Sequence, residues 1–353
     1  MYKKAIIAPL NWGLGHATRC IPIIQSLLHH HIEVVIASDG QALDLLRLEF
    51  PQIRCYELTT YHINYRFTNP VANMFWHSRN FIRAMNREHK ELAQLIQKEK
   101  PDLIISDNRY GVHAKNIFSV FISHQIKLQT GYAWLDPIAS NLNRWLLKPF
   151  DHIWIPDFPP PQQLAPKLSA PPKKSHTYIG ILSRLEPKKS KEKYDLCGII
   201  SGPEPQRTKL EYILTKQMQQ VPGNHLLILG KTQEKLEKNI SNVKIVSFMT
   251  SSQLNEVMNE SKIIVARSGY STIMDLIKTG KKAILIPTPG QPEQIYLAKS
   301  LKNHPNFEIQ QQHSLNLFSS VKSIISKEGM IMHLESFDML PFLEMIHSNY
   351  IKK

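Results

Sequence analysis

This chain of 353 residues lacks clustered cysteines, a membrane-spanning apolar run and a signal-peptide pattern. The only cysteines, Cys20, Cys55 and Cys197, lie far apart, which excludes a disulfide framework and a cysteine metal knuckle. No run approaches the ~20 apolar residues of a membrane-spanning helix. The short apolar run near the N-terminus leads directly into a glycine turn, so it predicts a first strand and not a signal peptide. We therefore expect a reducing, cytoplasmic setting.

Acidic residues are also scarce, with 29 Asp and Glu against 43 Lys and Arg, which gives a net charge of +14. This excess favours anionic partners such as nucleotides, nucleic acid or an acidic membrane surface. Nucleic acid is not expected, because zinc-finger spacing, a basic tail and an aromatic RNA-binding signature are all missing. Hydrophobic residues make up 42% of the chain and charged residues 20%, which is typical of a folded protein and not of a disordered one.

The first half of the chain alternates between strand and helix patterns. Predicted strands are KKAIIAPL, IEVVIASDG, IRCYELTT, PDLIISDN and FSVFISHQ; predicted helices lie near residues 17–30, at ALDLLRLEF and from about Asn73 to Glu99. Such alternation predicts a parallel sheet covered by helices, with ligands bound beyond the carboxyl ends of the strands.

The second half begins the same alternation again at YDLCGIISGPEPQR and continues with HLLILG, VKIVSF, KIIVARSG and KAILIPTPG. Each half carries an arginine near the start of its first helix, Arg19 and Arg207. We therefore expect an α/β fold with two Rossmann-like domains whose parallel sheets face a central cleft. The predicted boundaries are 1–160 for the N-terminal domain, 161–190 for a proline-rich linker region, 191–335 for the C-terminal domain, and 336–353 for a C-terminal helix whose docking is undetermined.

The stretch NWGLGHATR, residues 11–19, lies between the first strand and the first helix. A glycine turn at this point usually cradles phosphate, because backbone N–H groups and the helix dipole favour an anion. His16 is unexpected there, since a small residue suits phosphate better. Imidazole titrates near neutral pH, so His16 is a candidate general base; the alternative is a plain tight turn with an exposed histidine.

The most specific stretch is ARSGYSTIMDLIKTGKKAILIPTPGQPEQ, residues 266–294. Small and hydroxyl residues between a strand and a helix beginning near Thr272 can present donors to a pyrophosphate. They are Ser268, Gly269, Ser271 and Thr272. Asp275, one helical turn later, is placed to accept hydrogen bonds from ribose hydroxyls. Glu293 and Gln294 follow the next strand and suit sugar hydroxyls; close packing alone is the alternative for the whole stretch.

This stretch resembles the C-terminal, donor-binding domain of GT-B glycosyltransferases. It is most similar to the lipid II UDP-N-acetylglucosaminyltransferase family, which carries the family 28 C-terminal domain, and to UDP-glycosyltransferases. Their R-[SA]-G-x-x-T-x-x-[ED] element is matched from Arg267 to Asp275, with Asp in place of the usual Glu, and their proline-rich turn from Pro287 to Gln294.

Two further segments carry the resemblance in the second half. IVSFM, residues 245–249, resembles the element whose backbone reads the nucleobase, which implies that the base lies beside Phe248 and Met249. SGPEPQR resembles the second glycine loop at the donor phosphates and contains Ser201, Gly202 and Arg207, although it has one glycine where the family has two or three.

In the first half, His16 resembles the general base of UDP-glycosyltransferases, and Asp107 stands where those enzymes place the aspartate that orients it. His124 and Gln125 in FISHQ resemble the H-x-Q-N segment of the lipid II enzymes and would line the acceptor side. The turn residues Asn11, Gly13 and Gly15 face the acceptor in this interpretation. Asp107 could instead cap a turn, and His124 is better explained as a satisfied buried histidine than as a base.

The resemblance implies transfer of a sugar, of the hexosyltransferase type, from a UDP-sugar to a hydroxyl acceptor with inversion. It implies no cofactor besides this donor, and the sequence has no D-x-D motif of the kind that holds Mg²⁺ in other glycosyltransferases. A nucleotide-sugar hydrolase and a UDP-sugar 2-epimerase share the architecture and remain alternatives. A nucleotide-sugar-binding protein without turnover is an alternative from a different class.

A basic stripe occurs in the long helical stretch, where Arg79, Arg83 and Arg87 are spaced by four. A solvated helix face is the simpler interpretation. The alternative is a patch for anionic lipid or for a lipid-linked or anionic acceptor. Peripheral contact with the inner face of a membrane is therefore left open, as is a role in making a cell-envelope polysaccharide.

Overall fold

The computed structural model describes residues 2–61, 70–128, 130, 132–231 and 236–351, with the backbone alone for 70–79 and 349–351. The chain divides into two compact units. Unit 1 comprises Met1–Gly180 and Asp338–Lys353, and unit 2 comprises Ile181–Phe337.

Unit 1 is built on a seven-stranded parallel sheet in the order β3-β2-β1-β4-β5-β6-β7. Its strands are β1 (Lys4–Pro9), β2 (Glu33–Ser38), β3 (Arg54–Glu57), β4 (Leu103–Asp107), β5 (Phe118–Ile122), β6 (His152–Ile155) and β7 (His176–Tyr178). Its helices are α1 (Leu14–His29), α2 (Gly40–Glu49), α3 (Pro70–Glu99), α4 (Asp136–Leu146) and, at the end of the chain, α10 (Leu340–Ile351).

Unit 2 repeats the plan with the strand order β10-β11-β9-β8-β12-β13-β14. Its strands are β8 (Tyr194–Ile199), β9 (His225–Ile228), β10 (Glu237–Ile240), β11 (Val243–Val246), β12 (Ser261–Ala266), β13 (Lys282–Leu285) and β14 (Phe307–Ile309). Its α-helices are α5 (Gln206–Met218), α6 (Ser251–Asn259), α7 (Tyr270–Thr279), α8 (Pro292–Ser300) and α9 (Leu317–Ser326). Only the edge strand β10 pairs antiparallel among the described strands.

The most buried strands have continuous apolar runs, as is expected when helices cover both faces of a parallel sheet. Every residue of β4 (LIISD) and β5 (FSVFI) is buried. In unit 2, residues from β8, β9, β12 and β13 share one apolar cluster with α5 and α9. The prediction of an α/β fold with two Rossmann-like parallel sheets is confirmed.

The proline-dense segment that the sequence assigned to a linker is folded into unit 1 as far as Gly180. The buried carboxylate of Asp157 accepts hydrogen bonds from Leu164 N (2.8 Å), Ala165 N (3.2 Å) and Ser169 Oγ (2.6 Å). β7 then pairs with β6. The division between the two units, at Gly180 and Ile181, falls inside the predicted linker region of residues 161–190. Proline content indicates irregular backbone but says nothing about which side chain organises it.

The C-terminal helix, whose docking the sequence left undetermined, packs within unit 1. Asp338 Oδ1 accepts a hydrogen bond from Ser26 Oγ (3.2 Å) and lies 2.7 Å from His30 Nε2, both at the end of α1. Met339, Leu343 and Ile346 bury their side chains completely or nearly so. The apolar side of α10 thus completes the core of unit 1.

The basic stripe falls only partly on described side chains, since the side chain of Arg79 lies outside them. Arg83 and Arg87 are exposed, whereas Leu92 is buried on the inner side of α3. Both interpretations of the stripe require exposed arginines. Among the described residues, no helix is both long enough and apolar enough to cross a membrane.

Candidate active site

In unit 1, three neighbouring strands end at the same edge of the sheet. Pro9 of β1 lies in register with Asp107 of β4, which in turn lies in register with Ile122 of β5. The segments that follow these strands carry the predicted residues of the first half. Strand register therefore brings His16, Asp107 and His124 together, although they are separated by up to 108 positions in sequence.

The glycine turn begins α1 in a conformation that requires glycine. Gly13 has φ +84° and ψ 169°, and no atom lies within 4 Å of where a Cβ would stand. Any other L residue would be strained at this φ. Asn11 does not point to open space: its Oδ1 accepts from Ala42 N (3.2 Å) and its Nδ2 donates to Asp39 (3.3 Å). Asn11 therefore ties the turn to the start of α2, and its contact with an acceptor stays a prediction.

His16 and Asp107 form the predicted pair, with His16 Nδ1 2.9 Å from Asp107 Oδ1. Burial opposes ionisation of Asp107, yet the Arg19 guanidinium and His16 hold the pKa of this carboxyl far below its usual range. Burial lowers the pKa of His16, with Arg19 adding to the effect and Asp107 opposing it. At neutral pH the pair is thus a carboxylate and a neutral imidazole, and the histidine side chain keeps 16% of its surface exposed.

Arg19 completes this cluster, and the sequence analysis assigned it no role. Its Nε donates to Asp107 Oδ2 (2.5 Å) and one terminal nitrogen donates to Oδ1, so the guanidinium holds both carboxylate oxygens. Its two terminal nitrogens also lie 2.9 Å from His124 Nδ1 and from His16 Nδ1. The available signal was its position three residues after His16, which places both side chains on one face of a helix.

His124 is buried and supports the cluster. Because arginine can only donate, His124 Nδ1 accepts the bond from Arg19 and the ring proton sits on Nε2. Gln125 is half-buried, and its backbone N–H donates to Ser123 Oγ (3.1 Å). The structure places both residues at the predicted edge of the sheet. His124 supports Arg19 and is itself buried.

A second buried ionic cluster, which the sequence did not predict, lies beside the first. Arg109 forms ion pairs with Asp39 and Glu88, all three side chains being at most 1% exposed. Arg109 Nε also donates to the carbonyl of Pro9 (3.0 Å), directly before the glycine turn. Burial raises the pKa of Glu88, and Arg109 opposes this. The cluster fixes the backbone that enters the turn.

In unit 2, the ends of β8, β12 and β13 also align, with Ile199 in register with Ala266 and Ala266 with Leu285. Each strand is followed by a loop and then by the start of a helix, namely α5, α7 and α8. Three helix N-termini therefore lie at one edge of the sheet, where unpaired N–H groups and the helix dipoles favour an anion.

Two buried polar atoms at this edge have no hydrogen-bond partner among the described residues: Arg267 Nε and Thr288 Oγ1. A Cβ on Gly202, whose φ is +104°, would lie 3.5 Å from Thr288 Oγ1 and 3.9 Å from Arg267 Nε. Gln291 Oε1, in the same loop as Thr288, is a third such atom. Buried polar groups are almost always satisfied, so these atoms indicate a place for a polar ligand. The sequence analysis missed Thr288 and Gln291.

Most of the Arg267 guanidinium is engaged within the protein, so only part of it is available for the predicted donor contact. One terminal nitrogen donates to Gln206 O (2.9 Å) and Gln312 Oε1 (2.6 Å), and the other donates to Ile286 O (3.3 Å). Burial lowers its pKa to about 10. Only Nε remains for a ligand.

Arg207 is likewise engaged within its own segment. It forms an ion pair with Glu204, and its Nη1 donates to the carbonyl of Leu229 (3.4 Å). A helical neighbour, Glu211, lies 3.9 Å away. These contacts give Arg207 a local supporting role at the start of α5, whereas Ser201 and Gly202 are exposed in the preceding loop.

Ser268 and Gln294 join the two loops of the most specific stretch. Ser268 Oγ donates to the carbonyl of Gln294 (2.9 Å), and Gln294 Oε1 accepts from Thr288 N (2.9 Å). A Cβ on Gly269 would lie 3.8 Å from Thr272 Oγ1 and 4.0 Å from Gln294 Nε2. Ser268, Gly269, Thr272 and Gln294 are thus brought together, with Ser271 beside them in the first turn of α7.

The remaining predicted carboxylates lie on the two helices. Asp275 is half-buried on α7 and accepts a hydrogen bond from Ser183 Oγ (2.6 Å). Burial raises its pKa to about 6, against the opposing effect of Arg184. Glu293 is half-buried in the first turn of α8.

Phe248 and Met249 lie half-buried in the loop between β11 and α6. Within the described part of the chain, their backbone groups form no hydrogen bonds, whereas the flanking Ser247 N donates to Leu236 O (2.9 Å). Thr250 then caps α6 in a reciprocal capping box with Gln253. This loop can therefore offer two consecutive backbone units to a ligand while its ends are fixed.

Comparison with known proteins agrees with this arrangement. Residues 205–332, within unit 2, match the glycosyltransferase family 28 C-terminal domain. An uncharacterized glycosyltransferase of Methanosarcina acetivorans is 23% identical over 316 residues, which are 82% of this chain and 81% of that protein.

Solved structures resemble the chain over almost its whole length. The spinosyn rhamnosyltransferase SpnG complexed with thymidine diphosphate has a TM-score of 0.62 at 13% identity and covers 92% of each chain. The spinosyn forosaminyltransferase SpnP has 0.61 at 12% identity, covering 98% of this chain and 99% of its own. MurG of Acinetobacter baumannii has 0.52 at 13% identity, covering 91% and 93%.

These comparisons support glycosyltransferase activity and confirm the resemblance inferred from the sequence. The chain therefore has the fold of GT-B glycosyltransferases, and residues 205–332 of its second unit match the C-terminal domain of glycosyltransferase family 28.

Proposed function

We propose that this chain transfers a sugar from a UDP-sugar to a hydroxyl acceptor with inversion at the anomeric carbon, and that His16 is the general base. The observation that carries the proposal is the bond between His16 Nδ1 and Asp107 Oδ1 at 2.9 Å. A carboxylate on one ring nitrogen is the arrangement that directs the other nitrogen toward a proton to be removed.

The electrostatics of the pair suit a base at neutral pH. With Asp107 ionised, His16 donates its Nδ1 proton to the carboxylate, and the Arg19 nitrogen that lies 2.9 Å from Nδ1 donates to Asp107 Oδ1 instead of to the ring. The lone pair of Nε2 is then free to take a proton. Among the described residues, Nε2 has no hydrogen-bond partner. Because burial lowers the pKa of His16, the imidazole is neutral over the pH range in which a base is needed.

The donor would bind at the edge of the second sheet. Helix N-termini, Arg267 Nε and Thr288 Oγ1 supply donors for the diphosphate, and the backbone of Phe248 and Met249 can pair with the edge of a pyrimidine. Asp275 is the candidate ligand of the ribose hydroxyls, and Glu293 of the sugar. A neighbouring structure that holds thymidine diphosphate is consistent with a pyrimidine nucleoside diphosphate.

The reaction balances with these groups. His16 Nε2 takes the acceptor hydroxyl proton as the acceptor oxygen forms a bond to the anomeric carbon. The bond between that carbon and the diphosphate oxygen breaks with its electron pair, and UDP leaves as the anion. Attack opposite the leaving group inverts the anomeric centre, and N–H donors at the helix starts stabilise the charge on UDP.

We further propose that no metal ion takes part. The groups that would carry the metal's role are the three helix N-termini and the Nε–H of Arg267, which can neutralise charge on the leaving diphosphate. Activity should then persist in EDTA. Activity that appears only with Mg²⁺ would contradict this part of the proposal without affecting the role of His16.

The first experiment is calorimetric titration with UDP, thymidine diphosphate and GDP, each with and without Mg²⁺. We expect UDP to bind most tightly without metal. The best donor is then incubated with protein alone and with a panel of hydroxyl acceptors, including lipid-linked ones. Donor that stays intact until an acceptor is added supports a transferase, whereas UDP release in water indicates the hydrolase.

The variant His16→Ala tests the base directly. We expect turnover to fall by roughly 10²–10⁴-fold while UDP affinity is unchanged, because general-base catalysis contributes about this factor. His29→Ala, an exposed histidine on the same helix, is the matched control and should retain full activity. Full activity of His16→Ala would show that His16 is not the base.

A further inference from the structure

Helix α4 of unit 1 buries a polar side chain and exposes apolar ones. Asn143 is buried at 2% exposure, where its Oδ1 accepts from Tyr110 Oη (2.7 Å) and its Nδ2 donates to the carbonyls of Gln125 (3.3 Å) and Ile126 (3.1 Å). The opposite side of the helix carries apolar residues in solvent. A helix that turns a polar side chain inward and apolar ones outward is not explained by the stability of its own unit.

The exposed residues form one continuous stripe. Helical hydrogen bonding begins before α4, since Tyr132 O accepts from both Leu135 N (2.9 Å) and Asp136 N (3.3 Å). Spacings of four, four and three residues therefore align four side chains, each between 51% and 61% exposed. These four, Trp134, Ile138, Leu142 and Trp145, are called the α4 apolar face.

The rim of the α4 apolar face is basic. Lys127, Arg144 and Lys148 are all exposed, and no ion pair to them occurs among the described residues. Asp136 is the only acidic residue between Lys127 and Lys148. Its carboxylate is occupied by the backbone N–H (2.8 Å) and hydroxyl (2.7 Å) of Thr130. The surface therefore combines apolar and aromatic residues with three exposed cations.

We propose that the α4 apolar face docks unit 1 onto the surface of an anionic lipid bilayer, with α4 lying in the plane of the interface. Tryptophan is favoured at the boundary between headgroups and acyl chains, and Lys and Arg beside it attract anionic headgroups. A second copy of the chain is a poorer occupant, because two such faces would bring their cationic rims together. This inference does not depend on the proposed reaction.

The test is co-sedimentation of the full chain with vesicles of phosphatidylcholine alone and of phosphatidylcholine mixed with phosphatidylglycerol. We expect binding to the anionic vesicles that weakens as salt is raised. The double variant Trp134→Ser/Trp145→Ser should lower the partition coefficient at least about tenfold, since binding scales with buried apolar area. Tyr212→Ser, which alters an exposed aromatic residue of α5 in unit 2, should bind as the unmodified chain does.

Two further variants make the result independent of any one substitution. Ile138→Ser/Leu142→Ser removes the aliphatic half of the face and should also weaken binding. Arg144→Gln and Lys148→Gln should each weaken binding to anionic vesicles about fivefold. Because all these side chains are exposed, circular dichroism and the melting temperature should match those of the unmodified chain.

Three outcomes would overturn the proposal. The unmodified chain could fail to bind anionic vesicles, or the α4 variants could bind as well as it does. A third outcome is a concentration-dependent dimer in light scattering that the double variant abolishes, which would assign the face to a second copy of the chain.

Discussion

Arg19 is the residue that sets the charge state of the candidate base. It lies between Asp107 and two imidazoles and lowers the pKa of both Asp107 and His16. Arg19→Gln removes this cation, so the pKa of His16 rises. The acidic limb of kcat/KM, where His16 becomes protonated, should therefore move to higher pH. Arg19→Lys keeps the charge but loses the bidentate contact with Asp107, so the acidic limb of its kcat/KM profile should move less.

The measurement is the pH profile of kcat/KM for both variants, once a donor and acceptor are known. Arg47→Gln, an exposed arginine on α2, is the control and should leave the profile in place. Arg19→Gln also leaves Asp107 buried without its cation, which we expect to lower the free energy of unfolding by about 3 to 5 kcal/mol. An unchanged pH profile of Arg19→Gln would show that Arg19 does not influence the pKa of His16.

At the residue scale, the sequence identified the pair but not its surroundings. His16 and Asp107 could be paired only through a family resemblance, since 91 positions separate them. Arg19, Arg109 and Glu88 read in sequence as ordinary charged positions on helices or loops. What makes them part of the site is complete burial, and burial of a charge depends on which elements pack around it.

At the element scale, the start of α6 governs the loop proposed to hold the nucleobase. Thr250 Oγ1 accepts from Gln253 N (3.4 Å), and Gln253 Oε1 accepts from Thr250 N (3.0 Å). Thr250→Ala removes this cap and should lower the free energy of unfolding by about 1 kcal/mol. It should also weaken UDP binding, because Phe248 and Met249 directly precede the cap.

Asn316→Ala offers a matched control. Asn316 caps α9 of the same unit by accepting from Ser319 N (3.0 Å). We expect a similar loss of stability in urea unfolding but no change in UDP affinity by calorimetry. Equal UDP affinity in both variants would show that the loop before α6 does not contact the nucleotide.

The elements themselves were predicted unevenly. Long buried strands and several of the helices were found at nearly their observed positions, because apolar runs and helical periodicity are local signals. The sequence analysis missed β6, β7, β10 and β14, which have only three or four residues each. It also missed the helices α6, α8 and α9, and α4, whose apolar face points outward. The order of the strands in each sheet was not predicted, because it depends on pairing between segments far apart in the chain.

At the scale of the whole molecule, the chain returns to unit 1 after unit 2 is complete. Ile346 of α10 is fully buried, so Ile346→Ala should lower the stability of unit 1 by about 2 to 5 kcal/mol. Glu344→Ala, exposed on the same helix, should change it by less than about 0.5 kcal/mol. Hydrogen exchange can assign the loss to β1, β4 and α1; equal protection in both variants would contradict the observed docking.

The sequence by itself determined the two α/β sheets, the glycine turn between the first strand and the first helix, and the stretch from Arg267 to Gln294 as the candidate donor site. These features rest on local patterns that short segments carry alone. Only the tertiary structure decided that Arg19 holds Asp107, that Arg267 mainly braces its own loops, and that α4 exposes its apolar side. Each of these depends on which atoms are removed from water, and burial is set by contacts between segments far apart in the chain.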